Sequence, residues 1–201
     1  MTKHTKEKVD VHTKETELKR TSHWWFSKRG PAFLDPLVHI GDHSMDIIAP
    51  YIHQGQIAAD IGCGWGHYSF KLADLIGPEG KIYALDLAEK CVMSIQKKAQ
   101  KRGYKTIAAH TSSAAEINFI KDASVDFVYA NGLLCSMAIE RDLAVSEMIR
   151  ILKPTGFAYL SLGAVPPMGY VDEDEWKIIL NGFTLLQGGD FKGMWALVSL
   201  P

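Results

Sequence analysis

The chain has 201 residues, 47% of them apolar and 22% charged, with a formal net charge of −1. That balance suits one globular core and sets up no overall attraction to nucleic acid or an anionic membrane; no apolar stretch approaches the ~20 residues of a membrane span. Cys63, Cys91 and Cys135 are odd in number and widely spaced, which argues against a disulfide framework or a structural zinc site, and no metal is expected.

Residues 1–20 are polar and lysine-rich, without the apolar centre a signal peptide needs, so a cytoplasmic protein is expected. Trp24, Trp25 and Phe26 then stand together ahead of Gly30-Pro31. Adjacent large rings are costly to leave in water, at ~25 cal/mol per Å² of apolar surface. The glycine–proline pair can act as a hinge. Residues 1–50 therefore read as an N-terminal helical lid or cap segment. It ends in a short helix over 43–51, where Met45, Ile48 and Ile52 share one face. Residues 51–201 read as the main domain.

From residue 56 strands alternate with helices. Residues 56–62 form a buried strand and 67–77 a helix closed by Gly77; 81–87 and 89–103 repeat the pair, with basic residues in the last helical turn and Gly103 as the stop. Strands follow at 105–111 and 124–131. A helix over 140–152 is expected to stop at Lys153-Pro154, ahead of a strand at 156–163. A helix over 172–182 opens with acidic residues, and 184–193 and 194–201 read as closing strands. The fold class expected is α/β: a Rossmann-like, doubly wound, mostly parallel sheet with an antiparallel C-terminal hairpin.

In such folds a ligand sits beyond the C-terminal ends of the strands, beside the first one. Gly62, Gly64 and Gly66 lie there, and Asp86 ends the second strand about twenty residues on, where an acid can hold ribose hydroxyls. Up to this point the pattern also suits NAD. Two residues argue against a dinucleotide. His67 occupies the position where the G-x-G-x-x-G fingerprint has glycine, and Asp60 would face a pyrophosphate. A carboxylate is well placed beside a cationic amino acid. S-adenosylmethionine carries an α-amino group and a sulfonium and no phosphate.

DIGCGWG at 60–66, KIYALDL at 81–87, SVDFVYAN at 124–131, RILKPTGFAYLS at 150–161 and the NGF at 181–183 occur in the order and spacing of a known family. From about residue 57 to 201 the chain resembles the class I S-adenosylmethionine-dependent methyltransferases, particularly the broad type 11 group. The resemblance implies that Asp60, Gly62, Cys63, Gly64, Trp65 and Gly66 surround the methionine part of the cofactor. It also implies that Asp86 holds the ribose and Leu87 lies against the adenine, with S-adenosylhomocysteine as product. Ser112 and Ser113 fall where the family has G-D, so a serine hydroxyl stands in for the adenine-facing aspartate. Asn131 would line the sulfonium end. Thr155 replaces one glycine of the family's L-K-P-G-G turn.

Methyl transfer from a sulfonium needs an in-line nucleophile and exclusion of water more than covalent help. Trp24, Trp25 and Phe26 are candidate lid residues through cation–π contact with the sulfonium, and Leu134 and Met137 are candidate lining of the acceptor side. Many relatives have two histidines where this chain has Cys135-Ser136. Cys135 is a candidate ligand for a soft acceptor, as in arsenite or thiol-type methyltransferases, or a small buried apolar residue. His67, His43 and His110 are candidate bases. No insertion follows the fifth strand, which points to a small-molecule acceptor. A membrane partner is not expected, nucleic acid is a minority reading, and a homodimer is left open. The alternative function is a catalytically weak cofactor-binding partner or regulatory subunit.

Overall fold

The computed structural model describes residues 43–137, 140–162 and 171–201. Trp24, Trp25 and Phe26, with the rest of the lid segment up to residue 42, lie outside the described residues.

Seven strands form one sheet: β1 Ile57–Ile61, β2 Lys81–Asp86, β3 Ile107–Thr111, β4 Val125–Asn131, β5 Leu152–Ser161, β6 Thr184–Gly188 and β7 Trp195–Ser199. Their order is β3-β2-β1-β4-β5-β7-β6. β1 to β5 pair in parallel, and β7 runs antiparallel between β5 and β6. The chain winds outward from β1 through β2 and β3, then returns to the other side of β1 as β4. That reversal creates the switch point at which doubly wound sheets bind ligands.

The helices are α1 Ser44–Ile48, α2 His67–Ile76, α3 Glu89–Arg102, α4 Arg141–Ile151 and α5 Glu173–Leu180. α1 runs on as a single 3₁₀ turn over Ala49–Tyr51. Alternation along the buried strands sends side chains to opposite faces. Phe127 and Tyr129 of β4 meet Ile48, Ile52, Leu72 and Ile95 on one face. Val128 and Ala130 meet Met148, Ile151, Trp176 and Ile179 on the other. Each large apolar side chain buried this way contributes about 1.5–3 kcal/mol, so helices cover both faces.

Local signals set the helix ends. α3 stops at Gly103, whose φ of 77° is left-handed. α5 opens with a capping box in which Asp172 accepts from the Glu175 N–H and Glu175 reaches back to the Asp172 N–H. Trp176 anchors the same helix by donating its indole N–H to Gly189 O at 3.0 Å. Among the described residues no helix is long and apolar enough to cross a membrane.

One boundary differs from expectation. The α4 helix ends at Ile151 and β5 begins at once at Leu152, so Lys153-Pro154 lies inside a strand and not in a turn before it. Leu152 pairs with Val125, and the register then shifts so that Phe127 opposes Phe157. Pro154 and Thr155 bulge outward into solvent, where a missing N–H costs no ladder bond. Lys153 Nζ ties the bulge to Asp126 Oδ1 at 2.7 Å, and Asp126 Oδ2 accepts from the Ile57 N–H at 2.9 Å.

Candidate functional site

The glycine loop folds onto the end of β2 through its own backbone. The N–H groups of Gly62 and Cys63 both donate to Leu85 O, at 2.8 and 3.0 Å. One residue on, the Gly64 N–H donates to Asp86 Oδ2 at 2.9 Å, and the Ala88 N–H donates to Asp86 Oδ1 at 2.9 Å. The Ser112 N–H reaches Asp86 O at 3.2 Å. Asp86, 2% exposed, thus gathers the glycine loop, the start of α3 and the segment after β3 at one point.

Gly66 caps α2 with φ 87°, a left-handed conformation that disfavours side chains. A Cβ there would lie 2.7 Å from Ile95 Cγ1. The third glycine is therefore required by the close packing of α2 against α3.

Asp60, the penultimate residue of β1, is 2% exposed and accepts a hydrogen bond from Ser69 Oγ at 2.5 Å. Ser69 sits in the first turn of α2 and was not singled out from the sequence, since a serine on an apolar helix face carries no signal by itself. Trp65 is half-buried, its ring 5.9 Å from Lys90 Nζ, and its carbonyl accepts from Lys98 Nζ at 3.0 Å. Cys63 is buried and Leu87 is 50% exposed at the rim. Ser112 Oγ donates to Glu116 O at 2.7 Å, and Ser113 Oγ accepts from the Ala115 N–H at 3.1 Å. Both hydroxyls brace the turn after β3, leaving the Ser113 proton available as a donor.

Asn131 stands half-buried at the end of β4, its Nδ2 donating to Tyr129 Oη at 3.0 Å. Beyond it the chain enters the core. Leu134 is fully buried in the core cluster that also holds residues of α4 and α5, and Met137 packs partly buried against that cluster. Cys135 is 9% exposed, with Sγ 3.5 Å from Gly132 O, and burial pushes its thiol pKa up. Arg141 had no signal in the sequence. Its Nε donates to Leu134 O at 3.0 Å and its Nη1 lies 3.3 Å from Glu175 Oε2, tying this loop to the start of α5.

The histidines separate. His67 begins α2, half-buried and edge-on to Tyr68 at 4.8 Å. His43 is exposed beside Asp46. His110 pairs in register with Leu85, and Thr111 with Asp86. The His110 ring therefore lies on the face opposite the Asp86 carboxylate. It is stacked on Phe119 at 4.2 Å, with burial lowering its pKa. Among the described residues no group of three or more His, Cys, Asp and Glu could hold a metal ion.

Two buried carboxylates, Asp60 and Asp86, flank the glycine turn. A pyrophosphate would meet like charge there, whereas an ammonium and a ribose diol would meet acceptors. Residues 58–156 match the family described as "Methyltransferase domain". The chain belongs to the class I S-adenosylmethionine-dependent methyltransferases.

The family's cofactor, S-adenosylmethionine, fits the donor set found here. Asp86 would hold its ribose, and Asp60 with the glycine loop its amino-acid end. Among relatives of this methyltransferase, the demethylmenaquinone methyltransferase of Geobacillus stearothermophilus is 30% identical over 105 residues, 52% of this chain and 44% of that protein. The nocamycin O-methyltransferase of Saccharothrix syringae is 32% identical over 125 residues, 61% of this chain and 42% of that one. The chain thus spans less than half the length of these relatives. A solved S-adenosylmethionine-dependent methyltransferase from Aquifex aeolicus superposes with a TM-score of 0.66 at 22% identity, over 85% of this chain and 97% of that one, a likeness of fold.

Proposed function

We propose that this methyltransferase transfers the methyl group of S-adenosylmethionine to a small-molecule acceptor in the cytoplasm. The observation that carries the reading is the Asp86 cradle: a buried carboxylate at the switch point that orders the glycine loop. A carboxylate offers about four acceptor positions. The Gly64 and Ala88 N–H groups fix the carboxylate in place, one at each oxygen, and in this reading it also accepts from the ribose hydroxyls. The cofactor supplies a methyl group on a positively charged sulfur, a good leaving group. The chain's own work is then to bind, to orient and to keep water out. Ser113 offers its hydroxyl proton to the adenine side, Leu87 its exposed apolar face, and Asn131 its carboxamide to the sulfonium side. Residues 1–50 act in this reading as a cap over the site.

The small acceptor is supported by two relatives named for demethylmenaquinone and nocamycin. The protonated, buried Cys135 speaks against a thiolate ligand for a soft acceptor. The absent histidine pair favours, as second reading, a cofactor-binding partner of low activity. Calorimetric titration with S-adenosylmethionine, S-adenosylhomocysteine and NAD tests the cofactor, with binding of the first two and none of NAD expected. Release of S-adenosylhomocysteine in a screen of phenols, enols, amines and thiols then separates an enzyme from a binding subunit. Binding of NAD in place of the two adenosyl ligands would refute the reading.

A further inference from the structure

Between β3 and β4 the chain runs from residue 112 to 124 without a helix or strand. Its buried backbone polar groups have no ladder of their own and need partners elsewhere. The first part closes on itself. Ser112 Oγ donates to Glu116 O at 2.7 Å, the Glu116 N–H to Ser113 O at 3.2 Å and the Ala115 N–H to Ser113 Oγ at 3.1 Å. One end of this turn hangs on the switch point, where the Ser112 N–H donates to Asp86 O at 3.2 Å. The other end is held by α4. The Ile117 N–H donates to Glu147 Oε2 at 2.8 Å, and Arg150 Nη2 donates to Ile117 O at 3.0 Å. Arg150 Nη1 reaches Ile120 O, also at 3.0 Å.

The two α4 side chains form one fixture. Arg150 Nε and Nη2 bind the Glu147 oxygens at 2.7 and 2.9 Å, the paired contact that a planar guanidinium makes with a carboxylate. The direction of each bond is set by its chemistry: an N–H gives, and a carboxylate or carbonyl oxygen receives. Glu147 and Arg150 are half-buried, and Ile117 and Ile120 are buried in the core cluster that also takes Met148 and Ile151 of α4. Apolar contact is non-directional, so it holds the segment against α4 without orienting it. Hydrogen bonds to both the N–H and the C=O of Ile117 are directional. They set the angle at which the turn over 112–116 stands.

We propose that Glu147 and Arg150 are positioning residues for the cofactor: from α4 they aim the turn over 112–116, and with it Ser113, at the nucleoside held beside Asp86. The inference rests on the proposed cofactor site. The pair acts through Ile117 and needs no contact with the ligand. It gives a helix outside the glycine loop a share in the affinity for the nucleoside half of the cofactor.

Calorimetry of S-adenosylhomocysteine binding to the full chain at pH 7, run well below the melting temperature of each variant, tests this. A pair that only stabilises the fold would lower the melting temperature and leave the affinity of the folded protein unchanged. Glu147→Ala removes the acceptor of the Ile117 N–H and should bind about three- to tenfold more weakly. Glu147→Gln loses the ion pair but keeps an acceptor oxygen for that N–H, and should stay within about twofold of the unaltered protein. Arg150→Lys keeps the charge and loses the fork that spans two carbonyls, and should bind about threefold more weakly. Backbone hydrogen exchange over 112–117 should quicken in Glu147→Ala and Arg150→Lys. Unchanged affinity in both of these variants overturns the inference. So does a loss in Glu147→Gln as large as that in Glu147→Ala, or weaker binding with unchanged exchange over 112–117. If the unaltered protein binds no S-adenosylhomocysteine, the cofactor reading falls and this inference with it, an outcome distinct from the others.

Discussion

The Gly64 backbone N–H donates to Asp86 Oδ2 across 2.9 Å, although the two residues are 22 positions apart, one in the loop after β1 and the other at the end of β2. The acid at the end of β2 is thus a structural member of the glycine loop as well as a ribose-binding candidate. Asp86→Ala should weaken S-adenosylhomocysteine binding by roughly 1.5–3 kcal/mol, the scale of a hydrogen bond to a charged group. It should also lower the melting temperature, because two backbone N–H groups lose their acceptor. Asp86→Asn, which keeps one acceptor oxygen, should recover much of the stability and little of the affinity. Calorimetry and thermal melting together check this; unchanged affinity in Asp86→Ala would sink the assignment.

The glycines of the loop should separate binding from stability. Gly64 has φ 54°, so Gly64→Val puts a branched side chain in a conformation it avoids, next to the ligand, and should abolish cofactor binding in a protein that still folds. Gly66→Ala meets Ile95 at 2.7 Å as well as a φ of 87°, and should cost about 1–3 kcal/mol of stability. Urea unfolding of both variants beside their binding isotherms is the measurement. Normal binding by Gly64→Val would make the loop structural only.

Arg150 binds Glu147 through Nε at 2.7 Å and Nη2 at 2.9 Å, and donates to the carbonyls of Ile117 and Ile120. The guanidinium holds the Glu147 carboxyl below its ordinary pKa. A depressed folded-state pKa means stability present above the unfolded value, ~4.3, and lost as pH falls through the folded one. Glu147→Gln should therefore be less stable than the unaltered protein at pH 7, with the gap closing as pH drops below ~4. Urea midpoints at both pH values decide it, and a gap that is constant with pH contradicts the role given to the ion pair.

Burial raises the Cys135 thiol, and all three cysteines are buried. Labelling by a thiol reagent should be slow in the folded protein and rapid in urea. Cys135→Ala should keep S-adenosylhomocysteine affinity within about twofold of the unaltered protein, since a buried cysteine acts as a small apolar residue. Fast modification of Cys135 at neutral pH, blocked by trivalent arsenic, would restore the soft-acceptor alternative.

The order of strands and helices, the glycine turn and the acid at the end of β2 were legible from the sequence alone. Buried parallel strands read as apolar runs, amphipathic helices show a 3.6 period, and Gly77 and Gly103 mark helix ends by their backbone freedom. These are local properties written within a few residues of where they act. What only the tertiary structure decided are relations between distant positions. Nothing in the sequence around Pro154 shows that it sits in a bulge of β5, because the register shift is set by β4. Leu134 joins a core cluster with residues of α4 and α5 that lie well beyond it in the chain. Ser69 reaches Asp60, Arg141 reaches Leu134 and Glu175, and Ser44 reaches Tyr129 across 85 residues. A hydroxyl or guanidinium gains such a partner only once packing removes water and brings the two segments into contact, and side-chain periodicity carries no record of that distance.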